Sequence, residues 1–264
     1  MAFVTSRDGT KIGYSAIGAG PAIILVDGAL CWRASGPAGP LAEQLKDRFT
    51  VYTYDRRGRG ESGDTKPYAV QREVEDLAAV IEAAGGTAAI YAISSGVGLA
   101  LAAANAGLPI TKMVLYEMPI FTDNLRRVDP SYSQVMDELI AKGDGAGAVK
   151  HFMKNGVGIP AFGVFMMQLM GVMRKLAPVA PTLAYDTRLL TPYWTYAPLP
   201  KSTWPNVTMP VLDIGGGKSD AWMQNAQIAV SHALPNATHK TLPGQNHMVA
   251  PTAIAPLIKE FIAA

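Results

Sequence analysis

Ser94 lies in the pentapeptide Ala92-Ile93-Ser94-Ser95-Gly96, between a short apolar run, Ala88 to Ile93, and an alanine-rich helical stretch, Gly98 to Ala106. A serine at a strand-to-helix turn, with residues of little or no side chain two positions to either side, is placed as a nucleophile on a strained bend. Either Ser94 or Ser95 also suits a plain helix cap. A serine hydroxyl is a poor nucleophile at neutral pH, so it needs a base within hydrogen-bond reach and a third group to orient that base. His247, in the segment LPGQNHMVAP after the last strand-like run, is the best-placed base. His151 falls in an irregular middle region, His232 in a helical run and His239 at the start of a strand.

Two carboxylates compete for the third role. Glu117 directly follows the strand-like run Lys112 to Tyr116, and Asp220 follows the next strand in DIGGGKSDAWM. There Ser219 occupies the place, three residues after Gly216, where a carboxylate is expected, and Asp220 comes one residue late. A displacement of one residue turns a side chain from its target, which favours Glu117. Its alternative is a loop carboxylate with no catalytic role. Backbone amides aimed at a developing oxyanion supply the remaining stabilisation, each worth about 3 kcal/mol of barrier. The amide of Ser95, at a helix N-terminus, is one donor, and that of Ala29, after the bend at Asp27-Gly28, is its partner. The Gly28 bend also reads as an ordinary turn.

These residues require a scaffold that brings turns from distant parts of the chain to one place. Strand-like and helix-like segments alternate, which predicts a mainly parallel sheet with helices on both faces. Ala2 to Thr5 and Lys11 to Ser15, joined through Asp8-Gly9, read as an antiparallel hairpin. Six further strands are expected at Ala22 to Val26, Phe49 to Tyr54, Ala88 to Ile93, Lys112 to Tyr116, Pro210 to Ile214 and Thr238 to Leu242. Helices are expected at Leu41 to Asp47, Val70 to Ala84, Gly98 to Ala106, Ala221 to Leu234 and Ala253 to Ala263. The alternation stops between about Ile120 and Pro205, where Met, Pro, Gly and aromatic residues are frequent. The expected organisation is therefore a core of residues 1–119 and 206–264 with a helical cap, 120–205, beside the Ser94 turn. Met166, Met167, Met170 and Met173 fall at helical spacing in the cap, as core packing or as an adaptable ligand wall.

The 264 residues suffice for one full core, and half of them are apolar. The net charge of +2 and the scattered charged residues argue against a nucleic-acid surface or a polybasic membrane anchor, and leave a small, uncharged or weakly charged ligand. A single cysteine, Cys31, excludes an intramolecular disulfide, and four dispersed histidines give no metal spacing. Cys31 reads as a packing residue rather than a reactive thiol. The N-terminal segment lacks the features of a secretory signal and no apolar run is long enough to span a bilayer, so a soluble, cytoplasmic protein, monomer or homodimer, is expected.

Taken in order, these motifs resemble the α/β-hydrolase superfamily over essentially the whole chain. The resemblance rests on the Asp27-Gly28 bend where the family usually has His-Gly, and on DRRGRGES, Asp55 to Ser62, similar to the family's D-x-R-G-x-G-x-S loop. The AISSG elbow and the late His247 complete it. Ala92 replaces the elbow's first glycine, and the usual histidine before the oxyanion bend is Asp27. In some members, haloalkane dehalogenases among them, the acid follows the preceding strand, where Glu117 stands here. Those dehalogenases use an aspartate nucleophile and halide-binding side chains, whereas Ser94, Ala29 and Ser95 occupy the matching places. The resemblance also makes the arginine-rich segment a structural loop whose arginines satisfy carbonyls and carboxylates; its spacing fits no phosphate-binding fingerprint.

The expectation that follows is a serine hydrolase of small, mainly apolar carboxylic esters, thioesters or lactones, working through an acyl-enzyme without a cofactor. The same fold and side chains also serve carbon–carbon bond hydrolysis, perhydrolysis or a lyase step, and a non-catalytic binder of an apolar ligand is a further alternative. A dinucleotide-dependent oxidoreductase is disfavoured, because G-x-G-x-x-G is missing after the first parallel strand.

Overall fold

Every residue of Ala88–Ile93 is buried, and its side chains alternate between two separate apolar clusters. Ala88, Ile90 and Ala92 enter one; Ala89, Tyr91 and Ile93 enter the other. A two-residue period that is apolar on both faces fits only the interior of a sheet covered on both sides. A computed structural model of the protein describes residues 2–264. Its eight strands are β1 (Ala2–Thr5), β2 (Lys11–Ile17), β3 (Ala22–Val26), β4 (Thr50–Tyr54), β5 (Ala88–Ile93), β6 (Ile110–Tyr116), β7 (Val211–Gly216) and β8 (Ala237–Leu242). They form one sheet in the order β1-β2-β4-β3-β5-β6-β7-β8. β1 and β2 pair antiparallel, as the Asp8-Gly9 turn implies, β2 runs antiparallel to β4, and all later pairings are parallel.

Between β3 and β6 run α1 (Ala38–Leu45), α2 (Val70–Ala83) and α3 (Ser95–Asn105). Between β6 and β7 come α4 (Tyr132–Ala141), α5 (Gly145–His151), α6 (Ala161–Leu169), α7 (Val172–Leu176) and α8 (Leu183–Leu190), with a π-helical turn and two short 3₁₀ segments among them. The chain closes with α9 (Ala221–Ala233) and α10 (Pro251–Ala263) around β8. One face of the sheet is covered by apolar residues of α2, α3 and α9, including Leu77, Leu101 and Val230. The other is covered by α1 and α10 through Leu41, Leu45, Ile254 and Ile258. A third cluster, with Tyr132, Met136, Val149, Met173 and Leu183, lies among the helices between β6 and β7 and takes in Leu30 from the loop after β3. Among the described residues no helix is long and apolar enough to cross a membrane.

Two boundaries differ instructively from the sequence reading. α1 begins at Ala38, before Leu41, because Pro40 occupies a first-turn position where its missing N–H has no helical partner to lose. α3 begins at Ser95, before Gly98, so the small residues after Ser94 belong to the helix and are all buried. In the methionine series Met173 is buried, whereas Met166 and Met170 are exposed. None of the four borders the cavity at Ser94.

Candidate active site

Ser94 ends β5 with φ 59° and ψ −131°, torsions that a residue bearing a Cβ adopts only under strain. It stands at the N-cap position of α3, yet its side chain makes no capping hydrogen bond. The capping explanation therefore fails, and the hydroxyl is left for the cavity it lines. The bend is held by its neighbours. The amide of Ser94 donates to the carbonyl of Tyr116 at the end of β6 at 3.0 Å. A Cβ on Gly96 would lie 2.4 Å from the carbonyl oxygen of Val26, and one on Gly28 would lie 2.7 Å from the Cβ of Ser94. Glycine at both positions lets the ends of β3 and β5 meet.

Glu117, the first residue after β6, is fully buried and has φ 49°. Its Oε2 lies 3.0 Å from Nδ1 of His247. Oε1 accepts from the amide of Gly216 at 2.7 Å and from Oγ of Ser219 at 2.5 Å. Ser219, at the position where a carboxylate was expected, thus serves the carboxylate that comes from the preceding strand. Asp220 also borders the cavity, but its Oδ2 accepts from Nε1 of Trp222 at 3.2 Å and it makes no bond to His247. The His247 loop is pinned beside β6 and β7: the Tyr116 hydroxyl donates to the carbonyl of Asn246 at 2.6 Å, and the amide of Lys218 donates to that of Gln245 at 2.8 Å.

Ser94, Ser95, Ala29 and His247 line one cavity of about 310 Å³. No direct hydrogen bond joins Ser94 to His247 among the described residues. The amides of Ala29 and Ser95 make no hydrogen bond to the rest of the described chain. The remaining wall is mostly apolar, with Phe121, Tyr132, Leu183, Leu190, Trp194 and Trp222 prominent. Phe121 packs edge-on to Trp194 at 5.0 Å and against Trp222 at 5.2 Å. Cys31 is half-buried, and burial pushes its thiol up to about 12, which suits packing and not nucleophilic attack.

One carboxylate of the cavity wall escaped the sequence reading. Asp186, on α8, is buried and accepts from Oγ of Ser95 at 2.7 Å, from Arg56 at 2.8 Å and, with its two oxygens, from Arg59 at 2.9 and 2.7 Å. Burial alone would raise its pKa, but Arg59 and Arg56 outweigh that and hold the carboxyl below its usual range. The arginines also reach the loop after β3: Arg59 donates to the carbonyl of Gly28 at 2.5 Å and Arg56 to that of Asp27 at 3.4 Å. Arg56 grips Glu73 with two bonds, and Arg57 pairs with Asp76 and Asp8. The DRRGRGES segment is accordingly a buried ionic framework. A signal for Asp186 did exist, since it is the sole acidic residue between Asp144 and Asp213. Asp27 has no arginine paired to its carboxyl; burial pushes it up to about 7, against the hydrogen bond from the Ala38 amide and the weaker pull of Arg59 and Arg56.

A mainly parallel eight-stranded sheet covered on both faces, with a serine on a strained corner after β5, defines the α/β-hydrolase fold. The sequence model of the alpha/beta hydrolase family matches residues 18–257, and the chain belongs to that family. It is 45% identical to an alpha/beta hydrolase from Sphaerobacter thermophilus of known crystal structure, with a TM-score of 0.89 over 99% of this chain and 100% of that one. An enol-lactonase from Burkholderia xenovorans (18% identity, TM-score 0.70, all of both chains) shares the fold. So does a thermophilic esterase from Thermogutta terrifontis (20% identity, TM-score 0.69, 99% of this chain and 97% of that one).

Proposed function

We propose that this hydrolase cleaves small, mainly apolar carboxylic esters, with thioesters and lactones as chemical relatives, through an acyl-enzyme. Ser94 attacks the carbonyl while the imidazole of His247 takes its proton, and Glu117 holds the ring by its Nδ1–H and stabilises the cation that forms. The amides of Ala29 and Ser95 receive the oxyanion. Return of the proton expels the alcohol, and a water deprotonated by His247 then releases the acid. The helices between β6 and β7, residues 120–205, act as a cap that surrounds the acyl group with apolar wall. One observation carries this reading: an uncapped serine hydroxyl on a positive-φ corner borders the same cavity as an imidazole whose other nitrogen is 3.0 Å from a buried carboxylate.

The test is covalent and kinetic. A fluorophosphonate adds its mass to Ser94 in the wild-type protein, and Ser94→Ala takes up no label while losing about 10⁴-fold or more in kcat on a p-nitrophenyl ester. A folded Ser94→Ala protein that turns the ester over at the wild-type rate rules the mechanism out.

A further inference from the structure

The cavity wall carries charge beyond that needed for the chemistry. Asp186 is neutralised by Arg56 and Arg59. Lys218 and Asp220 sit at the exposed side. Arg126 is different: it is partly buried, borders the cavity together with Ser94 and His247, and forms no ion pair among the described residues. Its guanidinium lies over the faces of Trp222 at 4.7 Å and Phe121 at 5.6 Å, and one N–H group donates to the carbonyl of Gly156 at 2.5 Å. A guanidinium has five N–H donors, so that bond leaves most of the fork open. Burial disfavours its charge and lowers its pKa, against the weaker pull of Asp220, Tyr132 and Tyr196. A planar cation seated against two packed rings, with unused donors beside an apolar cavity, matches a carboxylate in geometry as well as in charge.

We infer that the substrate carries a carboxylate, bound by the open edge of Arg126, in addition to the acyl group presented to Ser94. This rests on the ester-hydrolase reading and narrows it to half-esters of dicarboxylic acids, or lactones bearing a free carboxylate. The apolar wall then packs the carbon chain between the two ends. A purely structural Arg126, stacked on Trp222 and tied to Gly156, predicts no such preference.

The experiment compares mono-p-nitrophenyl esters of succinate, glutarate and adipate with neutral p-nitrophenyl esters of matched length. Wild-type protein is expected to favour one of the anionic esters in kcat/KM by about tenfold or more, the scale of a charge-assisted hydrogen bond. Arg126→Gln is expected to lower the anionic-to-neutral ratio by a similar factor, mainly through KM, and Arg126→Lys to restore part of it. Equal ratios in wild type and Arg126→Gln, or no anionic preference in wild type, overturn the inference while ester hydrolysis itself stands. Should wild type cleave none of these esters, the ester-hydrolase reading fails, and calorimetry with glutarate judges Arg126 alone. Saturable binding that weakens about tenfold in Arg126→Gln supports the anion site, and heats indistinguishable from dilution in wild type refute it. The same calorimetry decides the case if Arg126→Gln does not fold.

Discussion

Glu117 has two oxygens and three donors around them, and the division of labour follows from that geometry. Gly216 and Ser219 hold one oxygen, leaving the other to face Nδ1 of His247. In Glu117→Gln the amide oxygen keeps the two donors on its side, so its NH₂ faces the ring and forces the tautomer with the proton on Nε2. That imidazole cannot accept the proton of Ser94, and kcat is expected to fall by about 10³ to 10⁴. Asp220→Asn changes a carboxylate that bonds only Trp222 and is expected to leave kcat within about threefold of wild type. Steady-state turnover of a neutral p-nitrophenyl ester, with thermal melts to confirm folding, ranks the two variants. A greater loss in Asp220→Asn than in Glu117→Gln would reassign the acid. That Glu117, and not Asp220, meets His247 was legible in the sequence, because one residue of displacement changes where a side chain points. The role of Ser219 was not, since it depends on a hydrogen bond across 102 positions.

At the scale of elements, the elbow works because β5 is buried on both faces up to Ile93 and then stops at a residue with positive φ. The strands, including the hairpin and the order of strands and helices, were legible from alternation and from turn residues. What misled the reading of α1 and α3 was glycine and proline used inside helices for first-turn chemistry and close packing. Gly96 shows the cost of replacing one. A methyl there would meet carbonyl oxygens of Val26 at 2.4 Å and Asp27 at 2.8 Å, and neither backbone has a rotamer to move. Gly96→Ala is therefore expected to lose about 1 to 3 kcal/mol. At roughly 2 to 4 °C per kcal/mol for a chain of this size, the melting temperature falls by several degrees. Ala92, at the elbow's other small position, already carries a methyl and is fully buried, so the two ends of the motif differ in tolerance. Differential scanning calorimetry reads the effect; a Gly96→Ala protein that melts with wild type contradicts the close-approach argument.

For the whole molecule, the decisive partners come from elements that no local pattern connects. Asp186 on α8 reaches Ser95 across 91 positions and meets two arginines of the DRRGRGES loop, while Arg126 enters the cavity from the loop after β6. Sequence reading marked the region 120–205 as helical, but the short, irregular helices there have no long period from which to tell which faces turn inward. Asp186 is buried with two arginines bonded to it, whereas the carboxyl of Asp27 is buried with the Ala38 amide as its donor, and there desolvation wins. Its ordinary value is 3.8 and burial raises it to about 7 in the folded protein. Between those values the folded state holds a proton that the unfolded state has released, so this group makes stability fall as pH rises from about 4 to about 7 and then level off. Below the window both states carry the neutral acid and it contributes no slope. Asp27→Asn removes the titration while keeping the shape of the side chain, so its melting temperature should match wild type near pH 4, gain on it steadily through the window, and hold the advantage at pH 8. Other carboxylates titrate in both proteins, and the difference between the two melting curves isolates Asp27. A difference that stays flat from pH 4 to 8, or that shrinks as pH rises, would mean that the carboxyl at the Asp27-Gly28 bend is ionised in the native state.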